Sequence, residues 1–153
     1  MLENQAEYQE LLQLFEKSET KIKHTEQITG EGILTPSINQ LRYSGHHIVR
    51  ALLGNGEHIL DEIEKATAHA KRAIYDIDEA LLLFYLEKIR NFKEKYQSNP
   101  FTLEVLPNYI QYLTDADTAN NAIHKLPKDH QNRDQFYQQC TPHIIVRPLH
   151  KYE

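Results

Sequence analysis

The sequence predicts an all-α fold: a four- to five-helix bundle with one long central helix (helix 3) and an antiparallel helix 2/helix 3 hairpin. Three observations lead there. Apolar residues recur at spacings of three and four through successive segments, the period of a helix with one buried face. The stretch from Glu57 to Tyr96 holds neither proline nor glycine, so nothing interrupts a helix there. The run Gly54-Asn55-Gly56 is a tight break, with a left-handed glycine cap expected at the end of the second helix.

The first helix carries Tyr8, Leu11, Leu12, Phe15 and Ile22 on its apolar face, opposite a charged one. Gly30, Gly32 and Pro36 then punctuate the chain, and Thr35-Pro36 reads as an N-cap with proline at the first helical position. The second helix, Leu34 to Leu53, is expected to bury Ile38, Leu41, Gly45, Ile48 and Leu52, with Gly45 in a seam where a large residue would clash. The third, Glu57 to Tyr96, repeats Ile59, Ile63, Ala66, Ala70, Ala73, Ile77, Leu81 and Phe84 along one stripe and spans roughly 60 Å at 1.5 Å per residue. Its Leu82, Leu83, Tyr85 and Leu86 widen the stripe into an expected interface. Asn99-Pro100 ends it.

Beyond Pro100, Phe101 to Leu106 reads as a connector, since a lone strand has no partner to pair with. Pro107 opens a helix with Ile110, Leu113, Ala116, Ala119 and Ile123 on its inner side, closing near Leu126-Pro127. A short polar helix is expected over 129–140. The chain as a whole, 1–153, reads as a single helical-bundle domain with 142–153 an extended C-terminal tail.

At 153 residues the chain is about one domain long. It carries 17 basic and 22 acidic residues for a net charge of -5, which argues against a protein that coats nucleic acid by bulk electrostatics. Cys140 is the single cysteine, so no intrachain disulfide framework and no cysteine-based zinc site is expected. The start of the sequence lacks a signal-peptide pattern, and no apolar run approaches the roughly 18 residues of a membrane span. A cytoplasmic protein with no membrane partner is the expectation.

Titratable groups gather on the second and third helices. One stripe is Asn39, Arg42, Tyr43, His46 and Arg50; the other is Glu62, His69, Arg72 and Asp76. His69 beside Asp76 can be oriented and kept charged by that carboxylate, or the two can simply anchor the helix register. The segment Arg42-Tyr43-Ser44-Gly45-His46-His47 contains Arg-x4-His. Here the chain resembles the HEPN superfamily, small helical proteins in which an Arg-x4-6-His motif forms a metal-independent ribonuclease site completed by dimerisation. The run Ala66, His69, Ala70, Ala73 and the long-helix architecture extend the resemblance over about residues 1–125. The family commonly has a polar residue after its arginine, where this chain has Tyr43.

The resemblance implies His47 as the acid or base that activates a ribose 2′-hydroxyl, and Arg42 as the group that stabilises charge on the phosphorane. On an unbroken helix Arg42 and His47 point about 140° apart, whereas Arg42 and His46 face one way, so His46 is the alternative imidazole. His69 and Asp76 are supporting candidates, and Tyr43, Arg50 and Arg72 are candidate binding groups. The competing structural reading has the same basic residues solvate a helix flank and pair with acids on helix 3. No metal or other cofactor is expected, because Glu-x-x-His occurs nowhere and a site from His46, His69 and Asp76 requires a special helix register.

Two functions follow. The leading expectation is an HEPN-like binding or regulatory module of a bacterial toxin–antitoxin or anti-phage system, engaging a protein partner or a second copy as a homodimer. The alternative is a metal-independent endoribonuclease using Arg42 with His47 or His46, with RNA as partner.

Overall fold

The structure, a computed structural model, describes residues 4–30, 32, 34–54 and 57–124, leaving aside the side chains of 57 and 122–124. Among the described residues every regular element is helical: α1 (Gln5–Thr29), α2 (Thr35–Leu53), α3 (Glu57–Tyr96), α4 (Thr102–Val105) and α5 (Tyr109–His124). They fall into two compact units, Met1–Ala80 and Leu81–Glu153, with α3 contributing to both. The expected helix at 129–140, the tail from 142, Cys140, residues Asn55 and Gly56, and the side chain of Ile123 lie outside the described residues.

In the first unit α2 runs antiparallel to α3. A seven-residue step forward on α2, from Gln40 to His47, is matched by a seven-residue step back on α3, from His69 to Glu62. Helix α1 runs in the same direction as α3, since Glu10 pairs with Lys71 and Lys21, further along, pairs with Asp78.

The packing surfaces are built from small residues at heptad spacing. Leu11, Ser18 and Thr25 are the buried line of α1, and Ser37, Ser44 and Ala51 that of α2. On α3 the line is Ile63, Ala66, Ala70, Ala73 and Ile77, as the sequence predicts. Such side chains bring helix axes to the close end of the usual 8–10 Å range. Two of the buried hydroxyls find a partner near at hand, since Ser18 Oγ donates to the Leu14 carbonyl at 2.7 Å and Ser44 Oγ donates across to the Ala66 carbonyl at 2.7 Å, whereas the buried Ser37 Oγ has no hydrogen-bond partner among the described residues. Leu11, Ala51, Ile63, Ala66 and Ala70 form the central cluster, flanked by Tyr8, Leu14, Phe15, Ile48 and Ile59.

The α2 seam differs from expectation by one residue, or about 100° around the helix. Ile38 and Leu52 are 52% and 63% exposed, and Leu41, Gly45 and Ile48 are half-buried, while the serines beside them are buried. Residue size decides this: Ser37 and Ser44 allow an approach that Ile38 and Leu41 would block. A Cβ added at Gly45 meets nothing within 4 Å, so the expected clash is absent. On α1, Leu12 is likewise exposed. Two cap expectations also change. Thr35 is the first residue inside α2, with Leu34 as its cap, and Gly54 is extended (φ -83). The left-handed glycine cap belongs to Gly30, with φ 66, at the end of α1.

In the second unit Asn99 Oδ1 accepts the Phe101 N–H at 3.0 Å, and Thr102 Oγ1 donates to the Tyr96 carbonyl at 2.8 Å, closing the end of α3 before Pro100. The expected connector is one helical turn, α4, because Thr102 turns inward while Phe101, Leu103 and Val105 stay exposed. Tyr109 packs edge-on to Phe92 with ring centroids 6.0 Å apart, and Ala116 and Ala119 are buried. Ile110, expected inside, is exposed; Tyr109 takes the inward position one residue earlier. Of the expected interface residues, Leu82 is buried, Tyr85 and Leu86 are half-buried and Leu83 is exposed.

Candidate functional site

The Ser44–Ala66 contact holds α2 and α3 close enough for their polar side chains to meet directly. One turn along, His47 Nδ1 lies 2.7 Å from Glu62 Oε2. Glu62 is 1% exposed and His47 17%. A carboxylate oxygen only accepts, so the His47 Nδ1–H donates and its Nε2 is the nitrogen left for exchange. The hydrogen bond from His47 is the main reason the Glu62 carboxyl is held down at about 2, and Lys65 adds to it against the cost of burial. Lys65 Nζ reaches Glu62 Oε1 at 3.2 Å and Asp61 Oδ2 at 2.6 Å, contacts that raise its own pKa, that with Asp61 most.

Two turns back along α2, Gln40 Oε1 accepts from His69 Nδ1 at 2.7 Å. That fixes the His69 tautomer when neutral, with the Nε2 lone pair available. The His47 and His69 rings stack nearly parallel, 5.3 Å between centroids and 12° between planes. Burial first, and then the charges of His47 and Arg72, lower the His69 pKa below the ordinary imidazole range. The Tyr43 ring lies tilted against His69 with centroids 5.5 Å apart, and the Arg42 guanidinium lies 5.0 Å from the Tyr43 ring centroid.

The structure therefore brings His47, His69 and Tyr43 together and sets Arg42 on their exposed edge. His46 is exposed, its ring 5.9 Å from that of His47. Arg50 is exposed in the last turn of α2, and Arg72 is half-buried one turn beyond His69. Asp76 lies about 10 Å further along α3 than His69, and the group that orients His69 is Gln40. Between the two helices, Glu62 and His47 make a carboxylate–imidazole pair. Gln40 and the Glu62–His47 pairing are not evident from the sequence pattern, and their signal is the hairpin register: both pairs share one midpoint in sequence, between positions 54 and 55.

One group of potential metal ligands stands out among the described residues: His58, Asp61 and Glu62, with ligand atoms within 4.8 Å of one another. Lys65 already bridges the two carboxylates and His47 holds the remaining Glu62 oxygen, so the charge a cation would neutralise is met from within. A cavity lined by Asn99, Thr102, Leu103 and Tyr109 belongs to the second unit and includes none of the candidate residues. No helix among the described residues is long and apolar enough to cross a membrane.

Fold and site together define a class: a helical bundle carrying a buried carboxylate–imidazole pair stacked on a second imidazole. Comparison with family models, curated proteins and solved structures returns no match for this chain.

Proposed function

We propose that the α2–α3 site cleaves RNA without a metal, as the HEPN resemblance implies. The observation that carries this reading is the stacked imidazole pair, each ring with Nδ1 committed to an acceptor and Nε2 left for proton exchange. Cleavage of an RNA phosphodiester needs one base and one acid. His69, kept neutral by its surroundings, takes the 2′-hydroxyl proton at Nε2 as the 2′-oxygen attacks phosphorus. His47 gives the proton on its Nε2 to the departing 5′-oxygen, and Glu62 stabilises the imidazolium and fixes its orientation. Arg42 supplies positive charge to the phosphorane. The products are a 2′,3′-cyclic phosphate and a 5′-hydroxyl.

The test is a cleavage assay on total RNA in a chelator. The wild type should produce cyclic phosphate ends, and His47→Ala or His69→Ala should lower the rate by about 10²- to 10⁴-fold, the usual worth of a general acid or base. Intact RNA with the wild-type protein would overturn the proposal.

A second reading is favoured by a different observation, the large apolar residues left exposed on α2 and at Leu83 on α3. In that reading the protein is a binding or regulatory module of a toxin–antitoxin or anti-phage system. Arg42 and His47 changes would then be silent, and charges placed at Leu83 or Leu86 would abolish partner binding.

A further inference from the structure

The two stacked rings of the α2–α3 seam are given unlike acceptors. His47 Nδ1 faces a carboxylate, Glu62 Oε2, and His69 Nδ1 faces a neutral amide, Gln40 Oε1, each at 2.7 Å. A carboxylate favours the charged form of the imidazole beside it. An amide oxygen carries no charge, and fixes only where the single proton of the neutral ring sits. Two rings of the same chemistry are thereby made different, and position 40 decides the character of the second.

The groups around His69 act in the same sense. From α2 it meets Gln40, the His47 ring at 5.3 Å and the Tyr43 ring at 5.5 Å, with the Arg42 guanidinium beside that tyrosine. On its own helix Arg72 lies one turn on, and Asp76 about 10 Å further along. The α1 charges that reach α3, Glu10 and Lys21, are paired with Lys71 and Asp78. Burial and the charges of His47 and Arg72 oppose a second proton on the ring.

Which end of the Gln40 amide faces the ring then matters. With the NH2 end inward, His69 Nδ1 would accept a hydrogen bond, the ring proton would sit on Nε2, and no lone pair would be left at that edge. With Oε1 inward, the lone pair is at Nε2. From this geometry we infer that Gln40 is a positioning residue of the site: its neutral amide oxygen holds the His69 proton on Nδ1 and so makes His69, and not His47, the ring that accepts a proton at Nε2. The catalytic consequence rests on the ribonuclease reading, whereas the position of the proton does not.

The experiment uses the full chain with histidine nitrogens labelled and reads ring-nitrogen shifts by NMR, the His69 signals being assigned from a His69→Gln spectrum. RNA cleavage in a chelator is followed in parallel. Above its titration, wild-type His69 should carry its proton on Nδ1. Gln40→Met keeps the side-chain length and removes the acceptor. The proton should then move to Nε2, and kcat should fall, by less than the about 10²- to 10⁴-fold that a general base is worth, with KM unchanged. Gln40→Glu is isosteric and ionised, and should raise the His69 titration by about 1–3 pH units, so that cleavage falls below the raised titration and approaches wild type above it. A packing role alone would lower the melting point of either variant and leave the tautomer and the pH profile unmoved. A wild-type His69 with its proton on Nε2, a Gln40→Met ring with the proton still on Nδ1, or a Gln40→Glu titration no higher than wild type would overturn the inference. Intact RNA with the wild-type protein would remove the catalytic consequence alone, and the nitrogen shifts would still decide whether Gln40 holds the His69 proton.

Discussion

Replacing Ala70 by leucine tests whether small residues set the α1–α2–α3 spacing. Ala66, Ala70 and Ala73 are each 0% exposed, so three added carbons have no void to enter and must push helices apart. Overpacking of this kind costs about 1–3 kcal/mol, which in a unit of 80 residues is a fall in melting temperature of roughly 4–24 °C. Ala68, two residues earlier and about 160° around the helix, is exposed, and Ala68→Leu should move the midpoint by no more than about 0.5 kcal/mol. The assay is a pair of thermal melts followed by circular dichroism. Separation of α2 from α3 would also lengthen the His47–Glu62 hydrogen bond, so Ala70→Leu should lose the proposed RNA cleavage below its melting point. Equal effects at 68 and 70 would refute the packing argument, because the two positions share helix propensity and differ only in what surrounds them.

The site titrations give two limbs of one sign. The fold holds Glu62 below its ordinary 4.5, so its stabilisation is full above that value and is lost as pH falls towards about 2; urea midpoints should drop across this window and Glu62→Gln should flatten the drop. The fold also disfavours protonated His69, so stability should decline as pH falls through the ordinary 6.5, a decline that His69→Gln removes. Ser44→Ala removes one buried hydrogen bond whose carbonyl keeps its helical partner, and should cost about 0.5–1.5 kcal/mol by urea unfolding. Lys65→Ala breaks contacts of a half-exposed ammonium and should cost less than about 1 kcal/mol, leaving the proposed RNA cleavage within a few-fold of wild type.

The all-α class, the uninterrupted α3 and the reversal at Gly54 were legible because each rests on a strong local signal: period, absence of breakers, or glycine. The inner side of α2 was not. Hydrophobicity ranks Ile38 and Leu52 above Ser37 and Ser44, yet the seam selects for size: both serines are small and buried, and only Ser44 donates to a neighbouring carbonyl. The sequence names Arg42, Tyr43, His47, Glu62 and His69, but it does not pair His47 with Glu62 or His69 with Gln40. Asp76 was the natural carboxylate for His69 on a one-helix view, since both lie on α3. Counting from the break supplies the two-helix view: His47 is seven residues before Gly54 and Glu62 eight after, while Gln40 is fourteen before and His69 fifteen after. Arg42 and His47 are split by the 140° between them. One lies on the exposed edge of the site and the other faces α3, and Tyr43 and His69 fill the space between.

Adjacent residues on α2 separate the two surfaces that this helix presents. Ser44 points into the hairpin and Gly45 about 100° away, into open space. Gly45→Ala adds a methyl group that meets nothing within the chain and removes a flexible residue from a helix interior, so it should stabilise the monomer by about 0.5–1 kcal/mol. The proposed RNA cleavage should survive Gly45→Ala undiminished, because Ser44, and not Gly45, makes the contact that holds α2 to α3.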